Sequence, residues 1–141
     1  RERKLAKGLV EKGLGIENSW TNGPAIGKTR LSNNVNIGFD FVEGESIVLM
    51  LDDAGIACST GSACSTKDLS PSHVLLAIGL KPWQAHGSMR FTLGRSTSEK
   101  DLDYTVEKLG EIVAKLREIS PLRKGTNISK YEKGFEEKHK Q

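Results

Sequence analysis

The sequence predicts an α+β fold, a small sheet of about three strands with helices packed on one face. Three observations carry that reading. Val35, Ile37, Phe39 and Phe41 alternate with Asn36, Gly38 and Asp40, the period of a strand with one buried face. Met89, Phe91 and Leu93 alternate with Arg90 and Thr92 in the same way. Leu102, Val106, Leu109, Val113 and Leu116 step by four and three, the seam of a core-facing helix.

The remaining elements follow in order. Leu5, Leu9, Val10 and Leu14 form a helical stripe that Gly13 and Gly15 stop. Residues 16–34 hold Gly23-Pro24, Gly27 and Asn33-Asn34 and read as a surface loop. After Glu43-Gly44-Glu45, the residues Ile47, Val48, Leu51 and Ala54 fit one helix face, with Gly55 where a C-terminal glycine belongs. Ile56-Ala57-Cys58 reads as a short strand. Ser70-Pro71 reads as a helix start, with Val74, Leu75 and Ile78 facing inward and Gly79 as the stop. Lys81-Pro82-Trp83 reads as a turn. Ser98 and Asp101 resemble a capping box for the last helix, which Pro121 ends. Residues 123–141, mostly charged and polar, read as a tail.

Bulk composition narrows the function classes. A chain of 141 residues, 36% hydrophobic and 28% charged, suits one soluble domain. The apolar runs are too short to span a bilayer. Arg1-Glu2-Arg3-Lys4 runs straight into a helical pattern, so the sequence gives no sign of a signal peptide. A net charge of +3, from 21 basic and 18 acidic residues mixed along the chain, argues against nucleic acid. Two cysteines are too few for a secreted disulfide scaffold, so the expected compartment is the cytoplasm.

Two residues stand out as chemistry. Cys64 lies in Ser59-Thr60-Gly61-Ser62-Ala63-Cys64-Ser65-Thr66-Lys67, a stretch of small side chains with nothing to anchor it to a core. A nucleophilic thiol needs such access; the alternative is an inert exposed cysteine. Arg90 points away from the core that Met89 and Phe91 join, where a guanidinium on a rigid strand can clamp a carboxylate through two parallel hydrogen bonds. The alternative is a surface arginine paired with a carboxylate. Cys58 reads as a small buried hydrophobe, and Arg95 as structural, bonding a helix end. The glycines match no phosphate loop. The two cysteines with His73 and His86 form no zinc pattern, so no resident metal is expected.

The segment around Cys64 resembles the active-site cysteine segment of NifS/IscS-type cysteine desulfurases. Asn33-Asn34-Val35-Asn36-Ile37, Val42-Glu43-Gly44-Glu45-Ser46, Leu69-Ser70-Pro71-Ser72-His73-Val74-Leu75 and Ser88-Met89-Arg90-Phe91-Thr92-Leu93-Gly94-Arg95 resemble the flanking family motifs in the same order. The resemblance covers most of residues 1–122. It implies a fold type I pyridoxal-phosphate enzyme of the class V aminotransferase group, acting as a homodimer. It implies that Cys64 takes sulfur from L-cysteine as a persulfide, leaving alanine, and that Arg90 binds the substrate carboxylate. The sulfur then passes to an iron–sulfur scaffold or another acceptor protein, and a transient iron–sulfur contact through Cys64 is the one metal reading the resemblance admits.

The chain departs from the family pattern in lacking the cofactor part. Its only His-Lys pair, His139-Lys140, sits in the charged tail after Glu137-Lys138 and does not match the family's Schiff-base lysine in context. The expectation is a C-terminal small domain, residues 1–122, with a tail at 123–141, no cofactor bound by this part and no activity from it alone. The competing readings are a non-catalytic sulfur-accepting or scaffold-binding module and a selenocysteine lyase relative.

Overall fold

A computed structural model of the chain describes residues 1–60 and 70–122. The elements run α1 (Glu2–Gly13), β1 (Ser19–Thr21), β2 (Asn34–Phe39), α2 (Gly44–Asp53), α3 (His73–Ala77), α4 (Pro82–His86), β3 (Ser88–Thr92) and α5 (Glu99–Ile119). The three strands form one antiparallel sheet in the order β1-β2-β3. This is the α+β arrangement that the alternating segments predict.

Strand parity explains where the core lies. Val35, Ile37 and Phe39 of β2, with Met89 and Phe91 of β3, project from one face and are buried. Leu5, Ala6 and Leu9 of α1, Ile47 and Leu51 of α2, and Leu102, Leu109, Ile112 and Val113 of α5 close over that face in a single cluster. The helical periodicities thus find the apolar face they require. The Ser98–Asp101 capping box is formed: the Ser98 hydroxyl accepts from the Asp101 amide, and the Asp101 carboxylate accepts from the Ser98 amide at 2.7 Å. Those hydrogen bonds hold the Asp101 carboxyl below its ordinary range.

Five local expectations are corrected. The segment 16–34 is not all loop, because Ser19–Thr21 pairs with Phe39–Ile37 as an edge strand. Ile56–Cys58 is not a strand; the ladder is reduced to one bridge, Ser59 with Arg90. Helix α3 is capped by Ser72 rather than Ser70, its hydroxyl accepting from the Leu75 amide. On α3 only Leu75 is buried, while Val74 and Ile78 are exposed. Lys81-Pro82-Trp83 opens α4 rather than a turn, with proline at a first-turn position that needs no N–H donor. The mobile reading of the Cys64 segment and the tail reading of residues 123–141 lie outside the described residues.

Candidate functional site

The face of the sheet opposite the core carries the polar residues. By parity it presents Trp20 from β1, Asn34, Asn36 and Gly38 from β2, and Ser88, Arg90 and Thr92 from β3. Asn36 and Arg90 are register partners, so their Cβ atoms stand about 5 Å apart on that face. Asn22, just past β1, extends the same row, its amide donating to the Asn36 carbonyl at 3.0 Å. On the far side, Ser59 pairs with Arg90 through two backbone hydrogen bonds, of 2.6 Å from the Arg90 amide and 3.1 Å from the Ser59 amide. A single row therefore crosses the sheet: Asn22, Asn36, Arg90, Ser59.

The inner part of this row is rigid. Trp20 lies flat over Gly38, where a Cβ would come within 2.2 Å of the ring. The Trp20 indole donates to Asn22 Oδ1 at 2.7 Å. Asn22 Nδ2 donates to Asn36 Oδ1 at 2.7 Å and to Ser88 Oγ at 2.9 Å. Ser88 Oγ in turn donates to the Gln84 carbonyl at 2.8 Å. Asn22 is 4% exposed and Ser88 fully buried, so these bonds satisfy groups that would otherwise be costly to bury. Arg30 fastens the edge from outside, bonding the carbonyls of Asn22 at 2.8 Å and Asn34 at 2.9 Å.

Arg90 differs from its neighbours. Its side chain is exposed, and among the described residues no hydrogen bond or ion pair engages the guanidinium. The outward direction expected from alternation is observed. Cys64 lies outside the described residues. Ser59, five residues before it, is held at Arg90.

Cys58 is half-buried against the core, and burial, aided by the Asp52 charge, pushes its thiol up to about 11. At neutral pH it is a protonated packing residue, as its apolar neighbours suggest. The Arg95 side chain is exposed and bonds no helix end among the described residues. Its backbone carbonyl instead accepts a hydrogen bond from Arg1, and a cavity of about 370 Å³ there is lined by Arg1, Glu2, Arg3, Ser32 and Arg95, away from the row. His73 is exposed and His86 half-buried. Among the described residues no group of three or more His, Cys, Asp or Glu is arranged to hold a metal ion, and no helix is long and apolar enough to cross a membrane.

Residues 1–105 match the aminotransferase class V family. The chain belongs to the aminotransferase class V family. Two curated relatives from this family's desulfurase branch are alike in sequence. The cysteine desulfurase IscS 1 of Archaeoglobus fulgidus is 51% identical over 122 residues, which cover 86% of this chain and 31% of that relative. The cysteine desulfurase IscS of Pasteurella multocida is 52% identical over 119 residues, 84% of this chain and 28% of that relative. A solved NifS-like protein superposes with a TM-score of 0.65 at 25% identity, over 80% of this chain and 27% of that one. This class V chain thus spans about 30% of the length of the curated relatives it matches.

Class V aminotransferases use pyridoxal phosphate. None of the three strands here supplies a lysine, and the described Lys4, Lys7, Lys12 and Lys108 pair with Glu99, Glu11, Asp103 and Glu111. The described donor set of arginine and amides suits a carboxylate and does not fit a cofactor held through a lysine. Sequence reasoning missed Asn22 and Asn36. Only the polar parity of Asn36 was visible, and its neighbours are set by long-range register.

Proposed function

We propose that residues 1–122 are the C-terminal small domain of a cysteine desulfurase, followed by a tail at 123–141. In this reading the rest of the protein holds pyridoxal phosphate. Cys64 is the sulfur acceptor, and Arg90 binds the carboxylate of L-cysteine. The single observation that carries the reading is the exposed guanidinium of Arg90, engaged by none of the described residues, on a strand whose backbone is bonded to Ser59, five residues before Cys64. About 50% identity to cysteine desulfurases over the same residues supports it.

The chemistry asked of these residues is divided. Arg90 offers two parallel N–H donors to an acceptor-only carboxylate, and its strand keeps that clamp fixed. Cys64 follows Ser59 by five residues, so its Cα stays within about 18 Å of the Ser59 Cα. The Cys64 thiolate attacks the substrate sulfur, the substrate's C–S bond breaks, and the sulfur remains on Cys64 as a persulfide. The carbon fragment takes a proton and leaves as alanine. The cofactor supplies the electron sink for that cleavage, from outside this chain. Delivery to an iron–sulfur scaffold or other acceptor protein, action as a homodimer and a cytoplasmic setting complete the proposal.

The test is sulfur transfer by the full-length, cofactor-loaded protein. Cys64→Ala is expected to abolish release of sulfur from L-cysteine, with the cofactor still bound. Undiminished transfer by that variant would defeat the reading.

A further inference from the structure

Asn36 and Arg90 share one face of the sheet as direct cross-strand partners, and the hydrogen bonds beneath them fix which way the Asn36 amide points. An asparagine side chain is ambiguous in isolation, since its oxygen and nitrogen have nearly the same shape. Two single-purpose groups remove the ambiguity here. The Trp20 indole can only donate, so the Asn22 atom at 2.7 Å from it is the oxygen. Asn22 Nδ2 must then face Asn36 and Ser88. At the other end the Gln84 carbonyl can only accept, so Ser88 Oγ donates to it and is free to accept from Asn22. Asn36 therefore has to present Oδ1 to Asn22. Its Nδ2, with two N–H donors, is left as the outward end of the amide, on the face where Arg90 stands.

We propose that Asn36 is a specificity-determining residue that donates from Nδ2 to the same substrate carboxylate that Arg90 clamps, and that Asn22 is the positioning residue that sets this polarity. The inference rests on the reading of Arg90 above and extends it. A carboxylate has two oxygens and about four acceptor directions, more than one guanidinium edge fills. A donor-only surface beside the arginine favours an anion that is acceptor on every side. A ligand without the carboxylate gains nothing from either residue. The relay is buried where it must hold and half-exposed where it must bind: Asn22 is 4% exposed, Asn36 half-buried and Arg90 exposed. No other polar partner of the Asn36 nitrogen is present among the described residues.

The experiment is steady-state kinetics of the full-length, cofactor-loaded protein with L-cysteine. Asn36→Asp keeps an oxygen towards Asn22 and replaces the outward donors with a second anionic oxygen. It is expected to raise KM by about 100-fold, with kcat within about twofold, because an anion beside Arg90 repels the carboxylate and occupies the guanidinium. Asn22→Asp is expected to turn the Asn36 amide over and raise KM by about tenfold, again with kcat preserved. Arg90→Lys, run alongside, is expected to raise KM by about tenfold. An Arg90→Lys effect together with an unchanged KM in Asn36→Asp overturns the inference and leaves the Arg90 reading standing. An unchanged KM in both overturns the Arg90 reading and the inference with it. Should Asn36→Asp fail to fold, Asn36→Ala removes the donors without adding charge; a KM about tenfold higher supports the proposal, and an unchanged KM overturns it.

Discussion

Replacing Arg90 by alanine in the full-length, cofactor-loaded protein is expected to raise KM for L-cysteine by about 30-fold or more, the cost of about 2–5 kcal/mol seen when one partner of a hydrogen-bonded charge pair is truncated. The reason is geometric. The Arg90 guanidinium is exposed, carries no described partner, and stands on the middle of a five-residue strand whose backbone is bonded on both sides, to β2 and to Ser59. The backbone beneath the side chain is already fixed, and among the described residues no intramolecular bond has to break before the guanidinium takes a ligand. The same exposure predicts that stability is hardly touched. Unfolding of Arg90→Ala is expected to stay within about 0.5 kcal/mol of the wild type, as for surface positions generally. A parallel loss of affinity and stability would instead make Arg90 a structural residue.

Phe39→Ala is expected to lower the free energy of unfolding by about 3–5 kcal/mol, measured by urea denaturation followed by circular dichroism. Phe39 is 1% exposed, ends the central strand and sits among side chains from α1, α2, α5 and both strands of the inner face. Its amide also donates to the Gly87 carbonyl at 2.9 Å, which ties β2 to the turn before β3. Removing the ring leaves a cavity that three helices and a sheet cannot all collapse to fill. For a domain whose total stability is about 5–15 kcal/mol, that is a large share. Leu49→Ala is the control. Leu49 lies on the solvent side of α2 at 71% exposure, and its loss is expected to change stability by no more than about 0.5 kcal/mol.

These two residues also mark what a sequence of this kind can convey. Phe39 and Arg90 were both legible because alternation assigns each strand residue to a face without any knowledge of the neighbouring strand. The α5 seam was legible for a similar reason: Leu102, Leu109 and Val113 repeat at the helical period, and the Ser98–Asp101 box announces the start. Ser19–Thr21 was not, because three residues are too few for a period to emerge and the half-buried Trp20 packs on a glycine of another strand. Ile56–Cys58 looked like a strand because Ile56 and Cys58 alternate towards the core, yet among the described residues after α2 and before α3 only Ser59 finds a ladder partner. Val74 and Ile78 followed the helical period of a helix of five residues, too short to impose a buried face beyond Leu75. Asn22 and Asn36 were silent for a further reason. Their role comes from a register between residues 14 apart, and another 54 apart, that no local pattern encodes.

Cys58 sharpens the assignment of the thiol. Its burial, with the Asp52 charge, holds it protonated up to about 11, so at neutral pH it is a poor nucleophile. The two cysteines should therefore behave differently towards the same substrate. The most direct measurement is mass analysis of proteolytic peptides from the full-length, cofactor-loaded protein after a single turnover with L-cysteine. The account predicts a gain of one sulfur atom on the peptide that carries Cys64, with Cys58 unmodified. Added sulfur on Cys58 alone, or alanine formed with no sulfur on Cys64, would contradict it.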